Sequence, residues 1–146
     1  MWFNPLIAKL LRSPLHRFVS TNMVLLTYRG HRSGNTYSLP VNYVEENRTF
    51  WITSQPDRTW WRNLRGGAQV QVNLRGQEMS GQAVTLEDVQ AVADGLGIYL
   101  SGLPQAARYF GIKLDETGRP RPADLEALAQ ERVMVKVLLN GKKKEQ

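Results

Sequence analysis

The chain has 146 residues, no cysteine, two histidines and a formal net charge of +6. The lack of cysteine excludes disulfides, thiolate metal centres and a cysteine nucleophile, and two histidines without paired spacing argue against a metal site. A chain of this length buries roughly 70% of its unfolded surface, so one domain can stand without a staple.

Asn4-Pro5 starts a helix whose Leu6, Ile7, Leu10 and Leu11 share a face, and Ser13-Pro14 starts a second that Leu15, Phe18 and Val19 would line. This N-terminal helical segment, 1–21, reads either as a lid on the core or as a membrane-surface anchor, given Trp2, Phe3, Lys9, Arg12 and Arg17. Strands follow near 23–29, 36–45, 48–54, 69–75 and 77–86, with Pro40 pointing to an edge or a bulge in the second and Glu45 to Arg48 turning into the third. Arg58 to Arg65 reads as a short helix stopped by Gly66-Gly67. Helices are expected over 86–99, 104–110 and 122–130, and alternating Val133, Val135, Val137 and Leu139 end the chain in a strand. The expected organisation is a single domain, 1–146, with a barrel core at 22–86, a helical insert at 87–131 and a closing strand at 132–140. It is an α+β, mainly β fold: a small antiparallel barrel with helices outside.

The charge is uneven. Residues 1–75 carry ten basic and three acidic side chains, against nine and ten in residues 76–146. The positive half suits a polyanionic small molecule, an anionic membrane or a nucleic acid. No run approaches 18 apolar residues, and Lys9 interrupts the N-terminal apolar run, so neither a spanning helix nor a secretory signal is expected. Cytoplasm is the default location, with membrane association through residues 1–20 as an alternative.

Two clusters carry chemistry. Arg29-Gly30-His31-Arg32-Ser33-Gly34 joins two strands, and its glycines can aim backbone N–H groups at an anion beside the guanidinium groups. An ordinary solvated hairpin has the same composition. Trp60-Trp61-Arg62-Asn63-Leu64, with Arg58 before it and Arg65 after it, offers an apolar wall next to positive charge, or simply an amphipathic helix with an aromatic anchor. Ser54, Asn42 and Tyr43 are strand residues that can contact a ring edge. There is no Gly-x-Ser-x-Gly elbow, so difficult chemistry would fall to an organic cofactor.

In this order the motifs resemble the deazaflavin-dependent nitroreductase family, split β-barrel proteins that bind coenzyme F420. The resemblance is carried by Leu25 to Gly34, then Leu39-Pro40-Val41-Asn42-Tyr43, then a strand ending at Ser54, then Trp60 to Leu64, then Val70 and Val72. It covers residues 22–86 well; His31 stands where the family has a basic residue.

The resemblance implies an F420-dependent oxidoreductase that passes a hydride to a quinone or nitroaromatic. Residues 30–34 would hold the phosphate with Arg29, Arg32 and Arg58. Trp60 or Trp61 and Tyr43 would wall the ring, with Ser54 meeting developing charge. Tyr99 and Tyr109 are candidates on the substrate side. The alternatives are an FMN-binding split barrel, a non-catalytic binder of F420 or another amphipathic anion, and a nucleic-acid binder. The last is disfavoured because no basic stripe extends past residue 77. An edge strand offers a surface for a homodimer.

Overall fold

The computed structural model describes residues 22–74 and 76–140. The expected N-terminal helices and the membrane anchor therefore lie outside the described residues. Seven antiparallel strands make one curled sheet, a half-barrel, with the order β2-β1-β5-β6-β7-β4-β3. They are β1 (Met23–Arg29), β2 (Thr36–Asn42), β3 (Val44–Glu46), β4 (Thr49–Ser54), β5 (Ala68–Leu74), β6 (Gln77–Leu86) and β7 (Val133–Leu139). Three helices, α1 (Val89–Gly102), α2 (Ala106–Tyr109) and α3 (Pro122–Ala129), lie between β6 and β7 in sequence.

Strand periodicity builds the interior. Phe50 and Ile52 of β4, Val70 and Val72 of β5, and Val133, Val135 and Val137 of β7 share one core with Trp60, Trp61 and Leu64. The opposite face of β7 and β4 presents Met134 and Trp51 to a second core, formed with Val92, Leu96, Tyr99 and Leu100 of α1. β7 therefore buries both faces over its first half, Val133 to Val135, where its apolar run is unbroken.

The expected strand over 36–45 is two strands, broken at Tyr43. Its N–H bonds the Asn22 carbonyl at 2.9 Å, and the chain then passes to the other margin of the sheet. Pro40 lies in β2, a margin strand, where a missing N–H leaves no gap in a ladder. The turn expected over 45–48 is confined to Asn47 and Arg48, with φ of 52° and 60°, the geometry of a tight two-residue hairpin between Glu46 and Thr49. The helix expected over 58–65 is a 3₁₀ segment, Trp60–Leu64. α1 starts three residues later than expected because Leu86 still pairs with Met134 and Asp88 caps the Ala91 N–H at 3.1 Å.

Candidate functional site

A cleft of about 560 Å³ opens where the half-barrel meets the helices, a size typical of small-molecule sites. Leu39 to Asn42 of β2 form one side, and Thr53 to Gln55 at the end of β4 form another. Arg58 and Trp60 lie beside them, and Tyr99, Tyr109 and Phe110 face them from the helices. Arg132 completes the wall. Among the described residues two arginines and no carboxylate line the cleft, so these residues give it a positive field.

Trp60 is 3% exposed, and its indole N–H donates to Ser54 Oγ at 3.2 Å. The Ser54 hydroxyl donates in turn to the Gln55 carbonyl at 3.2 Å. A serine at a strand end is thereby locked to the aromatic wall six residues on. The Tyr28 ring meets Trp60 at a 50° tilt with centroids 6.5 Å apart, and Tyr37 at a 32° tilt with centroids 5.8 Å apart. Burial, then the neighbouring Tyr37, pushes the Tyr28 hydroxyl up to about 12.

The glycine-bracketed turn is tied to the same region. The His31 N–H donates to Asn63 Oδ1 at 2.8 Å, linking the turn to the 3₁₀ segment. Gly30 bonds the Asn35 carbonyl through its N–H at 2.7 Å, and Gly34 bonds the Gly30 carbonyl at 3.0 Å. Gly34 needs its freedom at φ 74°, whereas Gly30 needs its bareness: a Cβ there would lie 2.7 Å from Tyr37 Cε2 and 2.8 Å from Ser33 Oγ. Ser33 Oγ accepts from the Asn35 N–H at 3.0 Å and lies 3.2 Å from the Tyr37 hydroxyl. The backbone N–H groups of Arg32 and Ser33 have no partner among the described residues, and the Arg29 and Arg32 side chains are exposed. Two adjacent free N–H donors beside guanidinium groups fit a phosphate.

Asn42, Ser54, Arg58 and Trp60 thus come together on the cleft wall, while Arg29, Gly30, His31, Arg32, Ser33 and Gly34 gather in the neighbouring turn. Tyr43 and Trp61 are not on that wall. Tyr43 is 7% exposed and packs on Phe50, with centroids 4.6 Å apart. Trp61 is 2% exposed, and the guanidinium groups of Arg62 and Arg65 lie over its ring. Those two arginines have structural partners: Arg62 donates to the Pro56 carbonyl at 2.9 Å, and Arg65 grips Glu87 through two bonds of 3.0 and 2.9 Å. Phe110, at the end of α2, and Arg132, just after α3, reach the cleft with no local motif to announce them. Among the described residues no three His, Asp or Glu side chains gather for a metal ion. Among them, too, no helix is long and apolar enough to cross a membrane.

A curled antiparallel half-barrel with a cleft between sheet and helices defines a split β-barrel protein. The chain belongs to the F420H(2)-dependent quinone reductase family, whose model matches residues 13–93, more than half its length. F420-dependent reduction is thus the general activity to which the chain is assigned. Solved structures agree on the fold. A protein described as a domain-swapped dimer is 18% identical, with 91% of this chain and 94% of that one covered and a TM-score of 0.54. The FAD and heme binding protein of Mycobacterium smegmatis is 12% identical, with 85% and 63% covered and a TM-score of 0.52. A conserved hypothetical protein of Mycobacterium tuberculosis is 15% identical, with 97% and 82% covered and a TM-score of 0.52. No curated protein matches the sequence significantly.

Proposed function

We propose that the protein binds F420 across the turn and the cleft and reduces a flat, electron-poor acceptor, a quinone or a nitroaromatic. The observation that carries this reading is the cleft, whose described lining holds arginines and no carboxylate and is walled by the locked Trp60–Ser54 pair, next to a turn with two N–H groups that have no partner among the described residues. Reduced F420, when bound, supplies a hydride from the ring carbon that replaces the flavin nitrogen N5. The chain's own part is to bind, orient and exclude water. The N–H groups of Arg32 and Ser33, with the Arg29 and Arg32 side chains, hold the phosphate. Arg58, on the cleft wall, adds positive charge that helps hold it. Trp60 fixes the plane of the ring, and Asn42 meets its polar edge. Ser54 orients Trp60, and its hydroxyl can turn from the Gln55 carbonyl to an oxygen on which charge develops. Tyr43 and Trp61 brace these groups from the core.

Titration of the protein with oxidised F420 and, separately, FMN tests the cofactor. Tighter binding of F420 supports the reading, and equal or tighter binding of FMN overturns it in favour of an FMN protein. Oxidation of reduced F420 should then accelerate with menadione or a nitroaromatic present. Tight binding without acceleration across both classes would make the protein a carrier. The open margin of β2 gives a second copy of the chain a place to pair, which light scattering can read.

A further inference from the structure

Among the described residues Arg132 is a cation without a counter-ion. It stands between α3 and β7 on the cleft wall, partly buried, and its guanidinium lies over the Phe110 ring at 5.0 Å. Its Nε donates to Thr53 Oγ1 at 3.2 Å, and that hydroxyl donates onward to the Val133 carbonyl at 3.0 Å. The side chain is therefore fixed from two sides. Among the described residues its Nη groups have no hydrogen bond or ion pair, and none of those that line the cleft is a carboxylate. Burial pulls the guanidinium below its ordinary range, the mark of a charge that the protein does not compensate. Tyr99, 4% exposed, lies close enough to feel that charge: burial raises its hydroxyl and Arg132 pulls it back down.

A half-buried guanidinium in an aromatic-lined cleft is costly unless an anion joins it. With Nε engaged by Thr53, the fork offers its Nη1–Nη2 edge, and two parallel N–H groups match the two oxygens of one carboxylate. A doubly charged phosphate would cost more to desolvate there than a carboxylate. Phe110 and Tyr109 supply flat apolar surface beside it.

We infer that Arg132, with the Tyr99 hydroxyl, is the acceptor-binding point of the cleft, and that the acceptor class is a planar ring carrying a carboxylate. The inference rests on the reductase reading for the word acceptor, but the anion point can be tested without turnover. The Arg29–Arg32 turn and Arg58 serve the cofactor, whereas Arg132 serves its reaction partner. Specificity then comes from one charge that neutral quinones leave unpaired.

The test is binding of 2-naphthoate against the neutral isostere 2-naphthamide to the full chain, by titration calorimetry, with and without F420. Naphthoate should bind about tenfold more tightly or better, the value of a charge-assisted pair. The preference should vanish in Arg132→Gln and survive in part in Arg132→Lys, which keeps the charge but not the fork. The ratio of kcat/KM for a carboxylated over an uncharged naphthoquinone should fall in the same order. Equal binding of the two probes by the unaltered protein overturns the inference whether or not the variants fold, and so does a preference that persists in Arg132→Gln. A naphthoate preference in a protein that ignores F420 would keep the anion point and discard the deazaflavin reading. F420 binding without the preference would do the reverse.

Discussion

The Trp60 indole N–H ends on Ser54 Oγ, 3.2 Å away and inside the protein, so the residue that walls the cleft and the residue at its edge are one unit. Removing either partner has unequal consequences. Ser54→Ala strands a buried N–H and should cost about 1–3 kcal/mol, while Trp60→Phe removes the donor and should cost roughly 1 kcal/mol from the lost bond, besides any change in packing. The double variant should lose less than the sum of the two. A urea-unfolding cycle reads this directly, and strict additivity would show that the bond carries nothing.

The turn separates binding from stability. Arg32 is exposed and its side chain has no partner among the described residues, so Arg32→Ala should weaken F420 binding by about 10- to 150-fold while leaving the thermal midpoint in place. Ser33 holds the Asn35 N–H and lies against the Tyr37 hydroxyl, so Ser33→Ala should lower both affinity and midpoint. Added salt should weaken F420 binding to the unaltered protein and do so less in Arg32→Ala. An affinity that ignores both substitutions would return the turn to an ordinary hairpin.

Trp61 is a core residue whose buried indole N–H has no hydrogen-bond partner among the described residues, so its stabilising role falls to the bulk of the ring. Trp61→Ala should cost about 3–5 kcal/mol of stability. Trp61→Phe should cost clearly less. Calorimetric midpoints of the two variants rank them, and a normally stable Trp61→Ala protein with poor F420 binding would put the ring back in the site.

Tyr28 makes stability fall at high pH. Its hydroxyl is held neutral up to about 12 in the fold, against the ordinary value of 10.0 in the unfolded chain. Between those values the unfolded state releases its proton first, so stability present below pH 10 declines as pH rises towards 12, by about 2 kcal/mol at most. Urea midpoints at pH 9 and pH 11.5 should therefore diverge less in Tyr28→Phe than in the unaltered chain. An identical decline in both would trace it to other groups.

Much of the architecture is legible because strand alternation is a local signal. Val70, Val72 and Leu74, or Val133, Val135 and Val137, announce their faces without any neighbour in view. The break at Tyr43 is not announced, since Leu39, Val41 and Tyr43 continue the alternation straight through it. It arises from which margin each half pairs with, a tertiary fact. Asn47 could have signalled the tight turn by its tolerance of positive φ, but Arg48 after it hides the usual Asn-Gly signature. In the site, Ser54, Arg58 and Trp60 are near in sequence and readable together. Arg132 becomes a cleft residue only because β7 pairs with β4 and sets Val133 against Ser54. Trp60 and Trp61 are chemically alike, and only the path of the 3₁₀ segment decides which ring meets the cleft.

The break at Tyr43 also governs how the molecule can breathe. Asn42 ends one margin of the sheet, Val44 begins the other, and a single residue joins them. Two Cα steps span at most about 7–8 Å, and covalent bonds do not stretch. The cleft is therefore laced shut along that seam: melting hydrogen bonds cannot widen it there. On the helical side of the cleft Tyr109 stands 91% exposed. Cutting the backbone between Asn42 and Val44 would leave every strand pairing in place, yet turn a fixed aperture into one that yields.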